Sequence, residues 1–286
     1  MLFRRILTYR LALYYLAAIL VAALGLSAAG IVTQPVLNLA FSAALCLAVC
    51  LSVNWAFAYV FGADSNWESV CISAIIITMI ITPVAPGDLA GIGFLALVSA
   101  WAMASKYLIA INKKHLFNPA CFGAVLVGVG LHRTVSWWVG DNAVLLPVIL
   151  LGGALMLSRL RYFEMVATFA VVVLGNSIIH GNTASLAGIY QSFSDMGIHS
   201  MFCFFGLVMI TEPRTAPLGR WRQVVYGGFV GLLFSPFTHI GTYYFPPEAA
   251  LVCGNLFTFF SNKRRMKRWG EKLGMKPRVT ANSSGA

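Results

Sequence analysis

The hydrophobic positions of this chain run in long blocks separated by short polar or proline-bearing punctuation. Helices that cross a hydrocarbon core about 30 Å thick need roughly 17 to 25 apolar residues. Ten blocks answer to that pattern: 11–30, 36–61, 68–83, 89–105, 118–131, 143–158, 163–180, 199–212, 222–235 and 246–261. Several are shorter than a full crossing and stop at proline. A helix that stops inside a bilayer is tolerable only where protein or a cavity satisfies its freed backbone groups. The fold class expected is therefore an all-α integral membrane protein of ten transmembrane helices, some of them interrupted.

Two of the punctuated ends rhyme. Residues 79–88 read MIITPVAPGD and residues 208–219 read VMITEPRTAPLG, which puts Pro83 and Pro213 130 positions apart. FNPACFGAVLVG opens the fifth span and FPPEAALVCGNL the tenth, with Pro119 and Pro247 128 positions apart. A nearly constant offset at two landmarks points to an internal duplication. Each unit holds five spans, an odd number, so the two halves enter the membrane from opposite sides as an inverted repeat. The expected organisation is a first repeat over 1–135, a second over 136–262, and a basic tail over 263–286. Inverted repeats bring their interrupted helices together, so a ligand site is expected around the third, fifth, eighth and tenth spans.

Composition agrees with the pattern. Hydrophobic residues make up 59% of the chain and charged residues 10%, against about 25% charged in a soluble domain; the mean hydropathy is +0.81. Charge then orients the spans. With both termini on one side, every Lys and Arg except Arg133 falls on that side, in the N-terminal segment, alternate loops and the tail. Basic loops face the cytoplasm, which places both ends there and implies a bacterial inner membrane. The net charge of +11 is thus read as juxtamembrane charge facing anionic lipid, and nucleic acid is not among the expected partners. The first hydrophobic stretch is long enough to span, and is read as a helix rather than a cleaved signal peptide.

The run SKYLIAINKKHLFNPACFGAVL, 105–126, resembles the signature of the RnfD/NqrB family, flavin-carrying membrane subunits of ion-translocating electron-transfer complexes. MITEPRTAPLGR and PPEAALVCGNL resemble two later segments of that family, in the same order. The resemblance implies electron transfer through a flavin, FMN or riboflavin. The electrons would come from a soluble reductase or iron–sulfur protein on the cytoplasmic face, with other membrane subunits as neighbours. Family members attach FMN to a threonine in a D-x-x-[ST]-G-A-T segment before the eighth span. The corresponding stretch here is IIHGNTASLAGIY, 178–190, which lacks the Asp and reads NTAS at the core; Thr183 or Ser185 would be the acceptor. Gly175, Gly181 and Gly188 bracket that loop.

Further cofactor-binding candidates come from the matched segments: Lys114, His115, Asn118, Pro119, Thr211, Glu212, Arg214 and Thr215. Asn118 before Pro119 is also an N-cap followed by proline at the first helical position. Glu164, Glu212, Arg214 and Glu248 fall at span edges, where long side chains reach the interface cheaply, and no charged side chain is expected deep in a span. His115, His132, His180, His199 and His239 follow no ligand spacing, so no metal site is expected. No catalytic residue is assigned, since phosphate-binding, nucleophile-elbow and zinc-protease motifs are absent. Cys46, Cys50, Cys71, Cys121, Cys203 and Cys253 are expected to act as small buried hydrophobes. The chain is expected to be a redox subunit rather than a self-sufficient enzyme. Two other classes remain open: a small-solute channel or transporter built on the same inverted plan, and a cofactor-free membrane anchor for a reductase.

Overall fold

The computed structural model describes residues 2–111, 114–180 and 201–262. The chain is mostly helical. In order come α1 (Leu2–Ala28), α2 (Val36–Phe61), α3 (Trp67–Ile80), α4 (Leu89–Leu108), β1 (Ala110–Ile111), β2 (Lys114–His115), α5 (Pro119–Leu131), α6 (Leu146–Leu160), α7 (Phe163–His180), α8 (Phe202–Phe204), α9 (Arg220–Phe234), β3 (His239–Ile240), β4 (Tyr243–Tyr244) and α10 (Pro247–Ser261). α8 continues directly into a π-helical turn, Phe205–Met209. The strands form two antiparallel ladders of two residues each; in the first, Ala110 pairs with His115 and Ile111 with Lys114.

Among the described residues, four helical segments are long and apolar enough to cross a membrane: Tyr9–Ala28, Val36–Phe61, Leu89–Leu108 and Phe163–His180. This is a multi-pass membrane protein. α3, α5 and α6 hold 14, 13 and 15 residues, which at ~1.5 Å per residue reach only ~20 Å.

Local chemistry sets the boundaries. Asn66 and Asp88 cap α3 and α4 by accepting from the amides of Ser69 and Gly91, replacing backbone partners that a first helical turn lacks. α3 stops at Ile80, short of the expected end at 83, because Ile81 turns extended before the Thr82–Pro83 pair, where an αR residue would clash with the proline ring. α1 begins at Leu2 rather than 11, since nothing in LFRRILTYR breaks a helix. This early start carries Arg10 to Glu68, with Nε 2.8 Å from Oε1.

The packing follows a paired scheme. α1 lies on α3 and α6 on α8 with its π turn; α2 lies on α4 and α7 on α9; α4 meets α5 and α9 meets α10. Two further contacts join the halves, α1 with α6 and α5 with α10. Missing side chains let some of these backbones touch. A Cβ on Gly123 of α5 would stand 2.5 Å from the Val98 carbonyl of α4, and one on Gly227 of α9 would strike the Met165 carbonyl of α7.

Candidate functional site

Where α8 gives out, the π turn leaves carbonyls without the usual helical donors. Thr211 supplies a substitute: its hydroxyl donates to Leu207 O at 2.8 Å and Val208 O at 3.1 Å. Glu212 follows, and Pro213 ends the helix. The chain then folds back, with the Thr215 and Ala216 amides donating to the Glu212 carbonyl, so that the Thr215 hydroxyl reaches Glu212 Oε2 at 3.2 Å.

The other side of the site comes from the β1–β2 turn and α5. Asn118 accepts the Cys121 amide at 3.2 Å and so caps α5, with Pro119 at the first helical position. The Asn118 amide N–H, left over by the helix, donates to Asn255 Oδ1 of α10 at 2.7 Å. This contact sets the start of α5 level with the middle of α10. Just before it, His115 places Nε2 3.1 Å from Glu212 Oε1. His115 is 3% exposed and Glu212 19%. An ionised carboxylate only accepts, so Nε2 carries the proton. Burial pushes the imidazole below its ordinary 6.5, against the pull of the Glu212 carboxylate, so His115 is neutral at pH 7.

Positive charge surrounds this pair. Lys106 of α4 donates to the Ser69 carbonyl at 2.9 Å and to the Ser69 hydroxyl at 3.2 Å. The Arg214 guanidinium stands 5.2 Å from the centre of the Tyr9 ring, a cation–π distance. A cavity opens between these elements. Tyr9 and Tyr15 of α1, Ser69 of α3, Asn118, Thr211 and Glu212 line it, with aliphatic side chains over the rest. Its free space, mouth included, is about 670 Å³, but only about 50 Å³ is wide enough for water. At ~10–15 Å³ per water, that is room for a few solvent molecules.

A second polar cluster lies against α10. Glu248, in the first turn of that helix, is 5% exposed. Its Oε2 accepts the indole N–H of Trp137 at 2.9 Å. Trp137 is 1% exposed and holds φ +51°, a conformation that costs a bulky residue about 1–3 kcal/mol. Its own amide donates to Ile80 O, the last carbonyl of α3.

The structure thus brings His115, Asn118, Pro119, Thr211, Glu212, Arg214 and Thr215 to one junction. Lys114 lies beside them in β2, opposite Ile111. Thr183, Ser185, Gly181, Gly188, His199 and the tail lie outside the described residues, and Gly175 falls inside α7. Three charged side chains are engaged by packed neighbours. Glu212 is held by His115 and Thr215. Glu248 sits at a helix end, as expected, but packed neighbours close over it. Lys106 is drawn inward by the Ser69 carbonyl rather than extending into a solvated loop. Of the remaining histidines, His132 ends α5, His180 packs on Phe237 and His239 on Tyr244. Among the described residues no group of three His, Cys, Asp or Glu side chains is placed to hold a metal. Ser69 and Trp137 carry no motif, and although Lys106 and Asn255 fall within the matched segments, spacing does not show what they touch; each acts through a contact between segments distant in sequence.

Compared with known proteins, the chain matches no protein-family model and no curated protein.

Proposed function

We propose that this chain is a membrane electron-transfer subunit that binds a flavin, FMN or riboflavin, in the manner of the RnfD/NqrB family it resembles. A separate reductase or iron–sulfur protein delivers electrons at the basic cytoplasmic face. The chain crosses a bacterial inner membrane ten times, as two inverted five-helix repeats, with both ends inside.

One observation carries this reading. Two of the stretches on which the resemblance rests, 105–126 and 209–220, meet through His115 and Glu212 at the rim of one cavity. The paired packing supports the repeat, because the contacts α1–α3, α2–α3, α2–α4 and α4–α5 have counterparts in α6 with α8 and its π turn, α7 with that turn, α7–α9 and α9–α10. Orientation is supported by Arg10–Glu68, Lys106–Ser69, His115–Glu212 and Arg220–Glu164. All four contacts lie on the side that the charge pattern assigns to the cytoplasm.

The cavity suits a flavin in the kind of groups it offers. A flavin ring presents carbonyls and an N–H along one edge and apolar faces elsewhere. Glu212 supplies acceptors, and the side-chain amide of Asn118 has no other partner for its NH2 among the described residues. Tyr9 and Tyr15 supply aromatic walls. Protein groups of this sort tune a cofactor's electronics while the cofactor carries the redox chemistry. In width the cavity admits the ring only after side chains of α1 and α6 part. That narrowness favours a second reading, a channel or transporter for a small solute, whose interrupted helices would frame the path.

Purification in mild detergent followed by an absorbance scan separates the two. Flavin bands that stay with the protein are expected; none, even after incubation with FMN and riboflavin, leaves the solute reading. Reporter fusions at each loop check the ten crossings.

A further inference from the structure

From the contact between Glu248 and Trp137 we infer a proton-binding site: the Glu248 carboxyl takes up and releases a proton inside the protein. The inference is independent of any cofactor.

The first ground is isolation. Glu248 is buried, and among the described residues no Lys, Arg or His side chain lies within ion-pair or hydrogen-bond distance of it. An unpaired charge in a protein interior is costly, and exchanging a proton with solvent is the usual way such a group sheds that cost. The second ground is the built geometry. Trp137 adopts a left-handed backbone conformation in the chain after α5, and its indole ends on Oε2 while its amide ends on Ile80 O. Phe204 of α8 and Phe205 of the π turn pack edge-on against the same indole. A packed tryptophan in a left-handed conformation, donating to a carboxylate that has no cationic side chain beside it among the described residues, is a specific arrangement of the kind that backbone strain marks at functional sites.

The ligand class follows from the donor. A sodium or other metal cation asks for a shell of oxygens, whereas the partner here is an indole N–H donating to the carboxylate. A proton on Oε1 leaves Oε2 free to keep accepting the indole, so both states retain the hydrogen bond. The step balances as carboxylate plus one proton from solvent giving the neutral acid, with no electron moved. The titratable groups on neighbouring elements are few: the Cys121 thiol on α5, in electrostatic range of both Glu248 and Glu212, and the Tyr226 phenol on α9, which takes a bond from Asn255 Nδ2 at 3.5 Å.

The test is a pH-difference infrared spectrum of the full chain in detergent. Wild type is expected to show a carboxylic C=O band between acidic and alkaline buffer that disappears in Glu248→Gln. In Trp137→Phe the carboxyl stays but the donor is gone, so the same band should persist and shift. A wild-type spectrum identical to that of Glu248→Gln overturns the inference, as does a band that ignores Trp137→Phe. Should Glu248→Gln fail to fold, the Trp137→Phe shift decides alone.

Discussion

His115 Nε2 stands 3.1 Å from Glu212 Oε1 although 97 residues separate the two in sequence. This hydrogen bond ties the turn before α5 to the broken end of α8. Replacing Glu212 by Ala strips acceptors from both the buried imidazole and the Thr215 hydroxyl, and leaving such groups unmade costs about 1–3 kcal/mol. Glu212→Gln keeps an acceptor oxygen and should lose less. Apparent unfolding temperatures in detergent should therefore fall in the order wild type, Glu212→Gln, Glu212→Ala.

The same pair makes stability depend on pH. Burial holds the His115 imidazole below its ordinary 6.5 in the folded protein. Between those two values the unfolded chain binds the proton and the folded chain resists it, so stability rises with pH through that window. It is fully present above about pH 6.5 and lost as pH falls toward the lower folded value. His115→Asn should flatten this acid limb; an unfolding temperature that tracks pH identically in both proteins would place the dependence elsewhere.

Close helix approach gives a sharper contrast. Gly123→Ala and Gly227→Ala force a methyl against the backbone of a neighbouring helix, whereas nothing lies within 4 Å of a Cβ at Gly93. Overpacking costs about 1–3 kcal/mol, so the first two variants should unfold earlier or elute as aggregates by size exclusion. Gly93→Ala should behave as wild type.

Cofactor attachment is open to direct chemistry. If FMN is held covalently at the stretch NTAS, acid precipitation leaves the flavin with the protein, and either Thr183→Ala or Ser185→Ala releases it. Flavin in the supernatant for wild type as well means that binding is non-covalent.

Helix existence was legible because apolar block length alone reports it. The expected bounds 36–61 and 163–180 coincide with α2 and α7, and Asn118–Pro119 reads directly as a cap. Facing was not legible. In helices apolar all round, the side toward lipid and the side toward protein carry the same residues, as exposed Val171 and buried Val173 of α7 show. The enclosure of Glu248 by Trp137, or of Lys106 by Ser69, depends on which faces meet. The π turn after α8 was equally hidden, since FGLVM differs in no residue class from ordinary helix.

The bond from the Asn118 amide to Asn255 Oδ1 spans 137 positions, and it bears on how the chain is made. α5 has 13 residues, fewer than the ~17 that a bilayer crossing requires, so lipid alone gives it no resting place as it leaves the ribosome. Its N-cap amide finds its partner only when α10, the last of the described helices, has been synthesised. The chain must be made through Asn255 before the middle of the molecule can settle, and a chain truncated ahead of Asn255 should be cleared by membrane proteases as an unfinished product.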